Sequence, residues 1–149
     1  MGFSTSGATA ILFIGLLIAV GIAYPTLETA NDRRMTAMED RDQRALEIRN
    51  TDVAVESAVY NGSSGTLTVE IGNTGSTTLS VSETDLLVDG VYRSGYETAV
   101  EGNADRTVWQ PGETLRMTAN LETEPTRVKI VTENGIAETV TEPEIEVTN

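Results

Sequence analysis

The 149-residue sequence predicts a long N-terminal α-helix, transmembrane in its first half and stalk-like in its second, followed by an all-β antiparallel sandwich. Three observations predict this. Residues 7–24 are apolar and uncharged, residues 26–50 are crowded with charges of both signs, and from residue 53 apolar and polar residues alternate between turn-forming clusters. The divisions read from these shifts are 1–25 for the anchor, 26–50 for the stalk, 51–142 for the sandwich and 143–149 for a tail.

The first segment, "GATAILFIGLLIAVGIAY", would span roughly 27 Å as a helix, near the lower limit for crossing a bilayer. Ser4, Thr5 and Ser6 precede it as capping residues. Gly7, Ala8, Gly15, Ala19 and Ala23 form a ladder of small residues that permits close helix approach, although such residues are common in membrane helices generally. Pro25 either starts a new turn or kinks a continuous helix. A cleavable secretory signal needs a basic n-region and a small-residue cleavage site. No Lys or Arg precedes this span, and Tyr24-Pro25-Thr26 is a poor place to cleave. The expectation is a retained anchor. Met1-Gly2-Phe3-Ser4-Thr5-Ser6 formally matches an N-myristoylation pattern, which a chain with its own span makes redundant.

In the stalk, Glu28, Asp32, Arg33, Arg34, Glu39, Asp40, Arg41, Asp42, Arg44, Glu47 and Arg49 are interleaved in sign. Asp40 and Arg44 stand four apart in the favourable acid-first order. Leu27, Met35, Met38, Ala45 and Ile48 make a thin apolar stripe broken by Asp42, which permits either a lone charged helix or a self-association seam. Arg33 and Arg34 follow the span. Taken alone, the positive-inside rule puts the sandwich in the cytoplasm. The acidic, cysteine-free sandwich and an N-glycosylation sequon at Asn61-Gly62-Ser63 point to the exterior, which is the expectation adopted.

In the sandwich, Val53, Val55, Ser57 and Val59 alternate with Ala54, Glu56, Ala58 and Tyr60. A turn at "NGSSG" precedes Leu67, Val69 and Ile71 on one face, and "NTGST" makes a second turn. "TLSVSETDLLVDG" supplies one or two strands ending on Asp89-Gly90, a strong hairpin signal with a return strand over residues 91–96. Residues 98–105 read as a polar loop and 107–110 as a short strand before the "QPGET" turn. Leu115, Met117, Ala119 and Leu121 continue the alternation, and "TRVKIVTENGIAETVT" is a hairpin about Asn134-Gly135. Residues 142–149 read as a frayed or strand-adding tail.

The formal net charge is −13, from 23 acidic and 10 basic residues, of which only Lys129 is a lysine. About 17 of the acids and five of the bases fall in the sandwich. Such a surface repels nucleic acid. With scarce Lys, abundant Thr and Glu and no Cys, it suits a haloarchaeal surface in concentrated salt, the alternative being an ordinary acidic protein whose bias has no meaning. The chain has neither Cys nor His. It therefore lacks disulfides, thiolate metal sites, and the commonest general base and metal ligand. Lys129 stands isolated, and Glu142 and Glu144 sit in the tail, where nothing desolvates them. Glu83, Asp85 and Asp89 could be imagined around Ca²⁺, but their spacing does not match an EF-hand loop, and hydrated surface acids are the simpler reading. No Walker loop is present. The expectation is therefore a non-enzymatic protein with no catalytic, cofactor or metal residues, whose one candidate modification site is Asn61. Trp109, Tyr92 and Tyr96 are the residue types best suited to an interface, and each also suits core or turn packing.

The "MGFSTSGATAILFIGLLIAVGIAY" helix, a stalk ending in "DRDQRALEIRNTDVAV" and a sandwich carrying "VEIGNTGSTTLSVSETDLLVDG" together resemble the haloarchaeal FlaF family of archaellum accessory proteins. The resemblance covers essentially the whole chain and lies in the combination and order of segments. It implies a single-pass anchor in the cell membrane and an immunoglobulin-like sandwich between membrane and surface layer. That domain would bind the surface-layer protein and, with a FlaG-like partner, act in the motor's stator. A homo-oligomer is permitted by the stalk seam. The alternative is a type-IV-pilin-like or archaellin filament subunit. Such subunits carry a basic stretch before a processing glycine, whereas here Gly2 follows Met1 directly. A generic membrane-tethered adhesion or sensor domain is a third reading.

Overall fold

The computed structural model describes residues 3–148. It contains one long helix, α1 (Phe3–Asn50), followed by eleven strands. Contacts divide the chain into two units, Met1–Arg44 and Ala45–Asn149. Met1 and Gly2 lie outside the described residues, and the acylation and processing patterns that need them lie there too.

Among the described residues the first unit is helix throughout. Ser4, Thr5 and Ser6, expected to precede the helix as caps, lie inside it, because nothing at residues 3–6 breaks a helix. Pro25 does not end α1. It removes the N–H that would bond the Gly21 carbonyl, and hydroxyls nearby supply extra donors. Thr26 Oγ1 donates to Ile22 O at 2.9 Å, and Thr29 Oγ1 to Pro25 O at 2.8 Å. Ile11, Leu12, Phe13, Leu16, Leu17, Val20 and Ile22 are all exposed. A helix that is apolar all round and covered by nothing is built for an apolar surrounding. α1 is long and apolar enough to cross a membrane.

The second unit is a sandwich of two main sheets. One takes the order β11 (Glu146–Thr148), β1 (Val53–Asn61), β2 (Thr66–Asn73), β8 (Thr114–Asn120), β6 (Glu97–Val100). The other runs β10 (Ala137–Thr141), β9 (Arg127–Val131), β4 (Asp85–Val88), β5 (Val91–Arg93). A two-stranded piece pairs β3 (Leu79–Ser80) with β7 (Val108–Trp109). Between them lies one core in which Leu67, Val69, Ile71, Leu115 and Met117 of the first sheet meet Leu86, Val88, Val128 and Ile130 of the second, around Leu79 and Trp109. The inward sets of β2, β8 and β9 follow strict alternation, as the sequence predicts. Asp89 and Gly90 both take positive φ, the geometry of a tight hairpin turn between β4 and β5.

Three features differ from the sequence reading. First, β1 does not alternate evenly. A register shift between Val55 and Ser57 marks a bulge at Glu56. Beyond it the inward residues are Ala58 and Tyr60, while Val59 turns outward. One extra residue in a strand moves every later side chain to the other face. Second, residues 97–100, three of the four assigned to a polar loop, form edge strand β6 against β8. Val100 is fully buried there opposite Leu115 and draws its polar neighbours into register. Third, the sandwich is not wholly antiparallel. β11 pairs parallel to β1 through Val59–Glu146 and Asn61–Thr148, and Ile145 is buried beside it.

Candidate functional site

Chemistry-bearing side chains are used for structure. Among the described residues no group of three or more His, Cys, Asp or Glu could hold a metal ion. Glu83, Asp85 and Asp89 do not converge. Asp89 Oδ1 accepts the backbone N–H of Thr126 at 3.0 Å, the Thr126 hydroxyl at 2.7 Å and the N–H of Arg127 at 2.9 Å. Those bonds, chiefly that from the Thr126 hydroxyl, hold its carboxyl below the ordinary carboxylate range. Glu83 instead lies beside Glu133. Burial, the neighbouring Glu83 carboxyl and the nearby charge of Glu47 push the Glu133 carboxyl upward, because two adjoining carboxylates cannot both ionise freely.

The aromatic residues divide by role. Trp109 is wholly buried in the core, and its Nε1 has no hydrogen-bond partner. Tyr96 donates its hydroxyl to Thr84 O at 2.8 Å, and burial raises its pKa. Tyr92 is 57% exposed, which leaves it available to a partner. Asn61 ends β1 and its Oδ1 accepts the N–H of Ser64 at 3.0 Å, while Gly62 N–H bonds Thr148 O at 2.8 Å. The sequon therefore lies in an ordered turn beside β11.

Sequence reasoning missed the joint between the last turn of α1 and the sandwich. Asn50 O accepts Ser76 N–H at 2.8 Å, and Asp52 O accepts the N–H groups of Thr74 at 3.0 Å and Gly75 at 2.9 Å. Thr51 is buried; its hydroxyl donates to Glu47 O at 2.7 Å and accepts from Asn134 Nδ2 at 2.8 Å. Buried Asn73 holds the crossing turn. Its Nδ2 donates to Thr77 O and Trp109 O, and its Oδ1 accepts from Gly75 N–H. The helix end is thus pinned from two loops by otherwise orphaned backbone groups. "NTGST" and Asn134-Gly135 were legible as turns. That both close on residues 50–52 was not.

On the outer face of the β11-β1-β2-β8-β6 sheet, Arg116 pairs with Glu70 at 2.7 Å, and Ser57 donates to Glu70 at 3.1 Å. The Arg116 bond first, then that from Ser57, lowers the Glu70 pKa. Arg106 engages Glu113 through two bonds, at 2.7 and 2.8 Å, and lowers its pKa in the same way. Shallow polar depressions on this face are lined by Ser57, Thr66, Thr68, Ala99 and Thr118 about Arg116. They lack the enclosed apolar walls of a small-molecule site. The arrangement suits holding and docking.

The family model for archaeal-type flagellin matches residues 2–142. No curated protein sequence matches the chain. Among solved structures, the archaellum periplasmic stator protein FlaG from Sulfolobus acidocaldarius is similar over 60% of this chain and 97% of its own, at 23% identity and a TM-score of 0.44. A chain of the FlaF and FlaG stator complex from the same organism is similar over 59% of this chain and 85% of its own, at 22% identity and a TM-score of 0.42. The family match takes in the apolar helix, the charged stalk and nearly all of the sandwich, and by that match the chain belongs to the archaeal-type flagellin family.

Proposed function

We propose that the protein is a non-enzymatic accessory component of the archaellum, of the haloarchaeal FlaF kind. In this reading α1 keeps it in the cell membrane as a single-pass anchor. The sandwich stands between membrane and surface layer, binds the surface-layer protein and acts, with a FlaG-like partner, as part of the motor's stator. The observation that carries the reading is the character of α1 beyond Pro25. Its charged side chains point in every direction around the helix, and Leu27, Met35 and Met38 stand exposed among them. A helix packed into a filament core must bury its sides, and each unpaired charge buried there costs several kcal/mol. The joint at residues 50–52 fits the same reading, since it ties the last turn of α1 to the sandwich within residues 45–149. An exterior sandwich also makes Asn61 a glycosylation site, checked by intact mass.

The family match itself favours a second reading, a structural filament subunit. One experiment separates the two. Filaments are sheared from cells and the chain is located by mass spectrometry, and a deletion strain is examined for filaments and swimming. The accessory reading expects the chain to stay with the membrane, and the deletion strain to build filaments that do not propel the cell. Recovery as a stoichiometric component of sheared filaments, with none assembled in the deletion strain, would establish the filament reading. Retention of the sandwich by immobilised surface-layer protein in concentrated salt tests the surface-layer contact, and no retention at any salt would sink it.

A further inference from the structure

The bases of the sandwich fall into two groups. Arg106 and Arg116 are neutralised by Glu113 and Glu70. Arg127, Lys129 and Arg93 have no ion pair among the described residues, in a chain where 23 acids face 10 bases. All three lie on the β10-β9-β4-β5 sheet. Cross-strand pairing places Tyr92 opposite Leu87, Leu87 opposite Lys129 and Lys129 opposite Thr139. These four form one ladder across the outward face, since Val128, Ile130, Leu86 and Val88 are the buried, inward set. Arg127 and Val131 flank Lys129 two residues away on the same face. Arg93 lies on the open edge strand β5, its Nε buried without a partner. The carboxylates nearest this face are Asp85 and Asp89, and Asp89 is occupied by Thr126 and the Arg127 backbone.

We propose that this face docks an acidic protein surface. Carboxylates of the partner pair with Arg127 and Lys129, and an apolar side chain packs on Leu87 and Tyr92. Charge complementarity selects the occupant. An arginine beside an exposed tyrosine matches the residue types enriched in interfaces, and the cations Arg127 and Lys129 become favourable to bury only when carboxylates arrive with the partner. A polyanion such as nucleic acid, or an anionic lipid sheet, meets the repulsion of the whole −13 chain. A second copy brings that same charge with it. A protein whose carboxylates are clustered in one place carries less total charge into that repulsion and sets them directly against the patch. The inference holds whether the chain serves a stator or a filament.

The test uses the full-length chain in its native membranes. Tyr92 is replaced by the photo-reactive residue benzoylphenylalanine, and the cross-linked peptides are sequenced. The expected result is a cross-link to a different protein through a segment rich in Asp and Glu. Arg127→Glu with Lys129→Glu should reduce the yield by about tenfold or more, and changing the partner's carboxylates to Lys should restore it. Lys129→Glu alone repeats the test without placing a new charge beside Asp89. Cross-links to another copy of the chain, to lipid, or to a peptide without carboxylates would overturn the proposal. So would an undiminished yield in Lys129→Glu, or no cross-link from position 92 while a probe at Thr68 on the opposite sheet captures a partner.

Discussion

At Gly75 the turn after β2 crosses the strand of chain leaving α1. A Cβ there would collide with the Asn50 carbonyl oxygen and the Asp52 nitrogen, both backbone atoms that cannot swing aside. Gly75→Ala must push the turn away and strain the bonds to Asp52 O and Asn50 O. The expected cost is about 2 kcal/mol, seen as a fall of about 5–15 °C in the melting temperature of the full chain in detergent. An unchanged melt would mean that the joint is loose. Glu133 makes a prediction of opposite sign. Its pKa is raised above the ordinary 4.5, so the folded state binds that proton more tightly than the unfolded chain does. The stability it contributes is full below the unfolded pKa and is lost as pH rises through the folded one. Glu133→Gln should therefore melt higher than wild type at pH 7 and equally at pH 4. The gain is about 0.5 kcal/mol or less, because the pair is largely exposed and screened. Glu70, Asp89 and Glu113 run the other way. Their lowered pKa values give stability that is present at neutral pH and lost as pH falls through the folded-state values.

At the scale of elements, the strands with strict alternation and turn chemistry at both ends were legible. β2, β8 and β9 need only a period of two and a neighbour on each side. β1 was legible as a strand but not in its facing, because a bulge leaves no mark in an alternating pattern. Val53, Val55, Ser57 and Val59 look like one face until pairing with β2 shows the slip at Glu56. β6 was hidden by Glu97 and Thr98, polar residues that an edge strand tolerates. β11 is the clearest case of a segment decided by its surroundings. Three residues cannot hold a strand alone, yet β1 presents an open edge and Ile145 finds a place in the core. Removing residues 143–149 should cost about 2 kcal/mol through the loss of Ile145 burial. It should also expose the β1 edge, giving aggregation that light scattering follows at temperatures where the intact chain stays dispersed. A truncated chain that melts with wild type and remains dispersed would show that β11 is dispensable.

For the whole molecule, a charge of −13 spread over a small sandwich and a stalk opposes compaction. Only two ion pairs relieve it among the described residues. Raising KCl from about 0.1 M to about 1 M shortens the screening length from about 10 Å to about 3 Å, so the melting temperature of the sandwich should climb by several degrees. A melting temperature that is flat or falls with salt would remove the basis for a halophilic surface. The candidate docking face belongs to this scale too. "RVKIV" already shows Arg127 and Lys129 alternating with buried residues. That they stand beside Tyr92 and Leu87, with no ion pair among the described residues, depends on which strands lie next to β9.

By itself, the sequence determined the order of parts: an apolar helix, a charged stalk, and strands with their turns. Each of these depends on local period and local turn chemistry, which act within a few residues. The tertiary structure alone decided the facing of β1 after its bulge, the capture of β11, the pinning of residues 50–52 and the lack of an ion pair at Arg127 and Lys129 among the described residues. These depend on contacts between residues far apart in the chain. Pairing across sheets, close backbone approach and charge neighbourhood all depend on which distant segments meet, and no local pattern encodes that.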